Sequence, residues 1–348
     1  MNKSYKPYLD GIRGIAILLV ALSHGGYGKI IPGALGVTIF FFISGYLITS
    51  LLLKEKEIKG EVDLIKFYMR RMWRLMPALI VYIFLSFLLN IFLVGNIDLI
   101  EPISAVFYVS NYYSVYIGYR DVNGAYSFYS ILWSLAIEEH FYLLFTPLIA
   151  YVKSRKKLII SIFAVLVLPL MDRIFIAYYS TPEFFESYTY YATDTRIDSI
   201  AYGCVLAVLG YKRIFNIETK VVFLIGIIGL VLSLLYRDEY FRNTYRYTLQ
   251  GISLYLVFGE VIFSEKLDVV RKILSNKLIV YVGKLSYSMY LYHWFAVVLM
   301  MYYLGVAELK SVWQIGYWSI AVGMSMLSYY FVEKPTLRLR IKYGSSAE

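Results

Sequence analysis

The chain has 348 residues, of which 59% are hydrophobic and 17% are charged, and its mean hydropathy is +0.62. Soluble domains are about 45–50% apolar and about 25% charged, so this composition excludes a soluble globular protein and indicates a chain that crosses a membrane several times. The net charge of +10 is dispersed between apolar segments and does not favour a nucleic-acid partner. The single cysteine, Cys204, excludes an intrachain disulfide and a metal site built from several cysteines.

The first apolar stretch, residues 8–24, has the length of a membrane span but carries two ionisable side chains, Arg13 and His24. A helix turns by about 1100° between these two positions, so both side chains lie on one face, about 16 Å apart along the axis. Ionisable groups inside a span are costly and usually mark a pathway or an active site. We therefore predict that the pair lines a functional cavity. The alternative for Arg13 alone is a side chain that reaches the membrane surface.

Further apolar segments predict an all-α polytopic membrane protein, a bundle of about ten transmembrane helices. In the second span, Gly36, Ser44 and Gly45 are expected to let neighbouring helices approach closely. The predicted spans are approximately residues 8–24, 34–53, 75–94, 131–150, 158–178, 196–210, 218–236, 246–263, 281–304 and 313–332.

Residues 103–118 are apolar but too short to cross a bilayer comfortably, so we predict a re-entrant or interfacial segment there. With ten spans, the segments on one side of the membrane hold 25 Lys and Arg residues and those on the other side hold six. Basic loops stay in the cytoplasm, which predicts that both termini are cytoplasmic. We expect a single transmembrane domain over residues 1–335 and a short cytoplasmic tail over residues 336–348.

A basic cluster precedes the third span. Arg71 and Arg74 are three residues apart and share one face of a helix that enters the membrane. Planar guanidinium groups bind phosphate well, so this pair is a candidate phosphate site. The alternative is ordinary anchoring by positive charges on the cytoplasmic side, which explains most basic loops.

Three consecutive ionisable residues, Glu138, Glu139 and His140, fall near the middle of the fourth span. Successive residues on a helix point about 100° apart, so the three cannot all face one cavity. A charged group in lipid is costly unless it is paired or solvated. We expect a functional role for Glu138, and the structural alternative is an ion pair with Arg13 or Arg196.

Asp194, Arg196 and Asp198 form an alternating-charge cluster at the outer end of the sixth span. Asp194 and Asp198 are four residues apart and therefore share a helix face. A self-neutralising helix cap and a binding site for an acceptor are both open interpretations. Asp172 and Arg173, in the fifth span, favour the same two interpretations more weakly.

The ninth span carries a polar stripe of Ser286, Tyr290 and His293 at helical spacing. A lone buried histidine is more often structural than catalytic, so both roles stay open for His293. Glu333 ends the tenth span beside basic residues at the cytoplasmic surface. The three histidines lie on separate spans without zinc-binding spacing, so no metal is expected.

In this order, these residues resemble the acyltransferase-3 family of integral-membrane O-acyltransferases, which modify bacterial surface glycans and other extracytoplasmic acceptors. The resemblance covers nearly the whole chain and rests on the ordered combination of motifs rather than on any one of them. His140 is a departure, because the family usually has glutamine there. The matching stretches are residues 9–16, His24, 36–46, 71–74, 133–142, 196–199, 285–293 and 332–335.

This resemblance implies a multi-pass O-acyltransferase of the bacterial inner membrane. It implies that acyl-CoA, most commonly acetyl-CoA, is the donor and is used from the cytoplasm. The implied acceptor is a hydroxyl of an extracytoplasmic glycan, such as O-antigen or another surface polysaccharide. We expect these substrates and the lipid bilayer to be the partners of the protein.

The resemblance also implies roles for individual residues. His24 is the expected general base, since an imidazole suits proton transfer near neutral pH. Glu138 or Glu139 is expected to orient this base. The expected donor-binding residues are Asp10, Arg13, Arg71 and Arg74. The residues expected to contact the acceptor or to be structural are His140, Asp194, Arg196, Asp198, Tyr290, His293 and Glu333.

A transporter or flippase of a lipid-linked sugar is the main alternative, because it also needs a polar path through many helices. Such proteins commonly place broken helices at matching positions of two halves. Pro77, Pro147, Pro169 and Pro335 show no such arrangement, which favours acyl transfer.

Overall fold

A computed structural model of the chain describes residues 5–95, 99–116, 127–211, 218–305 and 311–340. Residues 117–118 of the predicted interfacial segment and residues 341–348 of the predicted tail lie outside the described residues. All regular structure in these described ranges is helical, as the composition and periodicity predict.

The α-helices follow one another along the chain with short π-helical or 3₁₀ turns between some of them. They are α1 (Pro7–Leu22), α2 (Gly33–Lys59), α3 (Leu64–Val94), α4 (Ile100–Val106), α5 (Ser110–Tyr116), α6 (Trp133–Tyr151), α7 (Arg155–Tyr179), α8 (Pro182–Tyr191), α9 (Thr193–Arg196), α10 (Asp198–Leu209), α11 (Thr219–Leu235), α12 (Glu239–Asn243), α13 (Tyr245–Phe263), α14 (Asp268–Leu274), α15 (Lys277–Lys284), α16 (Ser286–Leu304), α17 (Ser311–Ser328) and α18 (Lys334–Arg340).

Several helices are long and apolar enough to cross a bilayer, which makes this a membrane protein with multiple spans. Two shorter helices, α10 and α11, are also apolar, and α13 qualifies only together with residues 265–274, from which it is bent by 93°. Among the described residues, the five helices that qualify by themselves are Pro7–Tyr27, Gly33–Lys59, Leu64–Leu93, Arg155–Tyr179 and Ser311–Leu337. The total of ten spans and the cytoplasmic location of both termini stay predictions.

Three predicted segments are broken in the structure. The predicted span 281–304 begins as the separate helix α15, which packs against α1, and continues as α16 after Leu285. The predicted span 196–210 is divided at Ile197 into α9 and α10. Residues 103–116 belong to two seven-residue helices, α4 and α5, joined at Tyr108 with a φ of 56°. Each of these two helices is only about 10 Å long, too short to span a bilayer.

Helix α2 lies at the centre of the bundle and packs against α1, α6, α10 and α13. Gly36 and Gly45 permit this packing, as predicted from their small size. A Cβ atom added to Gly36 would lie 2.5 Å from the Ala16 carbonyl oxygen on α1, and one added to Gly45 would lie 2.0 Å from the Ile200 oxygen on α10. Backbones this close leave no room for a side chain, which is the small-residue mode of helix packing in membranes.

Three cations cap helix C-termini at one end of the bundle. Lys56 Nζ donates to three carbonyl oxygens at the end of α6, at 2.6–3.1 Å. Arg155 donates to the Val208 oxygen near the end of α10, and Arg271 to the Val261 oxygen near the end of α13. Helix C-termini carry partial negative charge on carbonyl groups that have no partner within the helix. These cation contacts therefore stabilise the ends of α6, α10 and α13.

We expect Lys56→Met to lower the free energy of unfolding by about 2 kcal/mol, because it removes charge-assisted hydrogen bonds from the end of α6. Thermal unfolding of the detergent-solubilised protein measures the effect. Lys153→Met, which removes an exposed lysine nearby, is the matched control and should leave Tm unchanged. Equal Tm values for the two variants would contradict this role of Lys56.

Candidate functional site

His24 lies in a turn that interrupts the first helix. After Leu22 the chain forms a π-helical turn, and Gly26 has a φ of 97°, in the left-handed region that favours glycine. The carbonyl oxygens of the interrupted helix have side-chain partners on α17. Tyr317 donates to the Ala21 oxygen at 2.6 Å, and Gln314 donates to the Gly25 oxygen at 2.7 Å. Helix α17 therefore holds the turn that presents His24.

The hydrogen-bond partner of His24 is a second histidine, His293, on α16. His24 Nδ1 lies 3.0 Å from His293 Nε2. The two ring planes are nearly parallel, at 6°, and the ring centres are 5.3 Å apart, so the rings meet edge to edge, as an N–H···N hydrogen bond requires. His293 Nδ1 lies 2.9 Å from the Met289 carbonyl oxygen, one helical turn earlier. His293 is fully buried, and Trp294 packs edge-on against His24.

His24 opens into a cavity with an aromatic wall, which we call the His24 cavity. Its volume is about 190 Å³, or about 700 Å³ when the open space at its mouth is included. Its lining residues are His24, Gly33, Ala34, Val37, Ser130, Ile131, Trp133, Tyr190, Tyr191, Tyr290 and Trp294.

A second cavity, the arginine cavity, gathers the three arginines that were predicted to bind the donor. Arg13 comes from α1, and Arg71 and Arg74 come from α3. Its other lining residues are Val37, Phe40, Phe41, Ile43, Ser44, Leu47, Ile48, Leu75, Ser134, Leu135, Glu138, Ser286, Tyr287 and Tyr290. Its volume is about 80 Å³, or about 750 Å³ when the open space at its mouth is included.

The two cavities share a wall made by Val37 and Tyr290. Tyr290 donates to the Ile131 carbonyl oxygen at 3.0 Å, and its hydroxyl oxygen lies 2.5 Å from Ser134 Oγ. These bonds hold the ring between the cavities. Arg13 and His24 therefore line two adjoining cavities, whereas the helical spacing predicted a single one.

The prediction that Glu138 or Glu139 orients His24 is not what the structure shows. Glu138 faces the arginine cavity, where it accepts hydrogen bonds from Ser44 at 3.1 Å and Tyr142 at 3.3 Å. Arg71 lies 3.9 Å from Glu138 and 3.6 Å from Glu139. The reason is axial position, because Glu138 lies about 7.5 Å further along α6 than Trp133 of the His24 cavity. The structural alternative was an ion pair with Arg13 or Arg196, and the structure pairs Glu138 with Arg71 instead.

Comparison with known proteins identifies the family. An acyltransferase domain model matches residues 6–332. The chain belongs to the acyltransferase-3 family. The protein SAS0844 of Staphylococcus aureus strain MSSA476 is 36% identical over 362 residues, covering 97% of this chain and 58% of the relative. O-acetyltransferase OatA of S. aureus strain NCTC 8325 is 33% identical over 355 residues, covering 95% of this chain and 57% of the relative. The chain thus spans less than two thirds of the length of these relatives, and no solved structure matches it.

Asp194, Arg196 and Asp198, which the sequence groups into one charged cluster, have different partners in the structure. Asp198 forms a fully buried ion pair with Arg173 of α7, at 2.8 Å. Asp194 accepts hydrogen bonds from the hydroxyls of two tyrosines, at 3.0 and 2.6 Å. The Arg196 guanidinium lies 3.9 Å from the centre of the Tyr247 ring. A self-neutralising helix cap is therefore not what the structure shows, and the interpretation as an acceptor site stays a prediction.

The remaining predicted residues lie outside the contact between His24 and His293. His140 Nδ1 lies 2.7 Å from Thr193 Oγ1, so the second imidazole at His24 belongs to His293 rather than His140. Asp10 lies 3.9 Å from Arg13 and accepts a hydrogen bond from Tyr5. Glu333 accepts a hydrogen bond from Ser288, and its electrostatic neighbours include Arg74 and Arg13.

Sequence reasoning missed the two α17 side chains that hold the His24 turn. It also gave little weight to Arg173, which forms a fully buried ion pair with Asp198. The pair of glycines after His24 signals the end of a regular helix. No local pattern points to Gln314 or Tyr317, because they reach His24 only through the packing of α17 on α1.

Proposed function

We propose that this protein is a bacterial inner-membrane O-acyltransferase that moves an acetyl group from CoA to a glycan hydroxyl. The donor binds in the arginine cavity, on the cytoplasmic side, and the acceptor binds in the His24 cavity, on the outer side. The observation that carries this proposal is the shared wall of Val37 and Tyr290, which joins a cationic cavity to one that contains an imidazole. Family membership and the O-acetyltransferase name of a relative support it.

The arginine cavity suits the phosphates of acetyl-CoA. It presents three guanidinium groups and one lining carboxylate, Glu138, and Arg71 already contacts that carboxylate. Arg13 and Arg74 line the same cavity, and their guanidinium groups are suited to donate hydrogen bonds to phosphate oxygens. We assign the arginine cavity to the cytoplasmic side because CoA is available only there. The basic segments between the predicted spans support this orientation of the chain.

The His24 cavity suits a sugar. Trp133, Tyr190 and Trp294 offer flat apolar faces against which the C–H faces of a pyranose can pack, while hydroxyls of the sugar remain free to react. O-antigen or another surface polysaccharide is the acceptor class we propose. His24 lies in the same wall and can reach an acceptor hydroxyl.

The proposed reaction moves one proton and one acyl group. The acceptor oxygen attacks the thioester carbonyl carbon while His24 Nε2 takes the hydroxyl proton. The C–S bond then breaks, and the sulfur receives that proton, which leaves free CoA and an O-acetyl ester. The acyl carbonyl must pass Val37 and Tyr290 to meet a hydroxyl beside His24.

The direct test uses the purified protein in lipid vesicles with acetyl-labelled CoA and de-O-acetylated surface polysaccharide from the source strain. We expect label to enter the polysaccharide and to be released by mild base, as an O-ester is. Movement of lipid-linked sugar across the vesicle membrane without any transfer of label would favour the transporter instead.

Arg13→Gln should raise the KM for acetyl-CoA about tenfold, because one charge-assisted hydrogen bond to phosphate is worth about 1.5–3 kcal/mol. Acetyl-pantetheine, which lacks the nucleotide phosphates, should show the same KM with the variant as with the unchanged protein. Arg237→Gln, at an exposed position, is the control. An equal rise in KM for both donors would show that Arg13 does not bind phosphate.

Cys204→Ala should retain full transfer. The Cys204 side chain is completely buried, lies 3.6 Å from the Gly45 carbonyl oxygen, and lines neither cavity. Transfer rates and mass spectrometry of the protein after incubation with acetyl-CoA measure this. Loss of transfer together with an acetylated Cys204 in the unchanged protein would establish a cysteine relay.

A further inference from the structure

The hydrogen bonds of His293 determine which nitrogen of His24 carries hydrogen. The bonds form a chain from the Met289 carbonyl oxygen to His293 Nδ1, and from His293 Nε2 to His24 Nδ1. The ring of His24 packs against Trp294, and the ring of His293 packs against Tyr290. These contacts prevent either imidazole from rotating by 180° and exchanging its two nitrogens. Each link in the chain has a defined direction.

The direction follows from the carbonyl group, which only accepts hydrogen bonds. His293 Nδ1 must therefore carry a hydrogen. A second hydrogen on Nε2 would make His293 a fully buried cation, and no carboxylate of the described residues lies in ion-pair contact with it. An uncompensated buried charge is strongly disfavoured, so His293 is neutral and its Nε2 holds a lone pair.

That lone pair lies 3.0 Å from His24 Nδ1 and accepts a hydrogen bond from it. His24 thus carries its hydrogen on Nδ1, which leaves Nε2 unprotonated. A histidine side chain free in water favours the opposite tautomer, with hydrogen on Nε2. The contact with His293 therefore selects the less common form of His24.

We propose that His293 is a positioning residue that holds His24 as the Nδ1–H tautomer, with the basic Nε2 available to the acceptor hydroxyl. This inference rests on the proposed role of His24 as the general base. When Nε2 takes the hydroxyl proton, the resulting imidazolium keeps its Nδ1–H bond to His293. A neutral imidazole backed by a carbonyl oxygen thereby fills the place that a carboxylate has in Ser-His-Asp enzymes.

The first test reads the tautomer directly and does not depend on activity. The full chain contains only three histidines, so histidine labelled with ¹⁵N can be assigned in lipid nanodiscs by single substitutions. At neutral pH we expect His24 Nδ1 to have the ¹⁵N chemical shift of a nitrogen that carries hydrogen (pyrrole-like). We expect Nε2 to have the ¹⁵N chemical shift of a nitrogen without hydrogen (pyridine-like). A pyrrole-like Nε2 on His24 would overturn the proposal even if transfer depends on His24.

The second test compares His293→Gln with His293→Leu. Glutamine can place its Oε1 where Nε2 was and accept from His24, whereas leucine cannot. We expect His293→Leu to lower kcat about a hundredfold, in the range of general acid–base effects, with KM for acetyl-CoA unchanged. His293→Gln should recover most of that loss and keep the pyridine-like Nε2 of His24.

Equal kcat values for the glutamine and leucine variants, with both proteins folded, would contradict the proposal. If the leucine variant fails to fold, the spectra of the unchanged protein and of His293→Gln still decide it. Failure of the proposed role of His24 as the base has a different signature, because His24→Asn would then retain transfer whatever the tautomer is. Failure of the proposed acyl transfer would appear as no label in the polysaccharide with the unchanged protein.

Discussion

His24→Asn should lower the rate of acyl transfer by about a thousandfold, since general acid–base catalysis typically contributes 10²–10⁴-fold and the variant lacks a basic nitrogen. Asparagine is preferable to alanine because its side-chain NH₂ can still donate to the buried Nε2 of His293. An unsatisfied acceptor there would cost about 1–3 kcal/mol and would confuse loss of chemistry with loss of stability. Transfer of labelled acetyl groups to polysaccharide, normalised to the amount of folded protein, is the measurement.

The matched control for this experiment is His140→Gln. His140 hydrogen-bonds to Thr193 and lines neither cavity, and glutamine can maintain that bond. This variant should transfer acetyl groups at the rate of the unchanged protein. Full activity of His24→Asn would end the assignment of His24 as the base, and equal loss in both variants would point to a structural effect of removing a histidine.

Arg173→Met should destabilise the protein by about 3–5 kcal/mol, because it leaves the carboxylate of Asp198 buried without its cation. Both side chains are fully buried, and Arg173 also donates to the carbonyl oxygens of Thr195 and Thr244. A loss of this size is a large part of a typical stability of about 5–15 kcal/mol. We expect a strong fall in the yield of monodisperse protein and in Tm.

A second substitution separates the effect of the lost charge from that of the lost hydrogen bonds. Arg173→Met combined with Asp198→Asn removes both charges and should recover part of the lost Tm, because no buried charge then lacks a partner. Arg237→Met, at an exposed position, should leave Tm unchanged. A double variant no more stable than Arg173→Met would mean that the carbonyl contacts of Arg173, rather than its ion pair, account for the loss.

Helical periodicity predicted several of the residues that line the arginine cavity. The spacing of Arg71 and Arg74 puts both on one face of α3, and they line the arginine cavity together with Arg13. The same reasoning placed Ser286, Tyr290 and His293 on one side of α16. Ser286 and Tyr290 line this cavity, whereas His293 contacts His24. These predictions succeed because residues three or four positions apart on one helix share a face whatever the helix packs against.

Periodicity could not predict partners on other helices. Glu138 was assigned to His24 by chemical type, yet its partners on other helices are Ser44 and Arg71. Nothing in the local sequence distinguishes these partners from Arg13 or Arg196. Which carboxylate meets which cation depends on the axial offset between helices.

The amino-acid sequence alone determined that this is a helical membrane protein with ionisable side chains inside its spans, because composition and the helical repeat are local properties. The tertiary structure decided that His24 meets His293, 269 residues away, and that Val37 and Tyr290 divide the space between His24 and the arginines. Such contacts depend on the rotation and depth of each helix in the bundle. Close packing at glycines such as Gly45 sets that geometry, and no single helix encodes it.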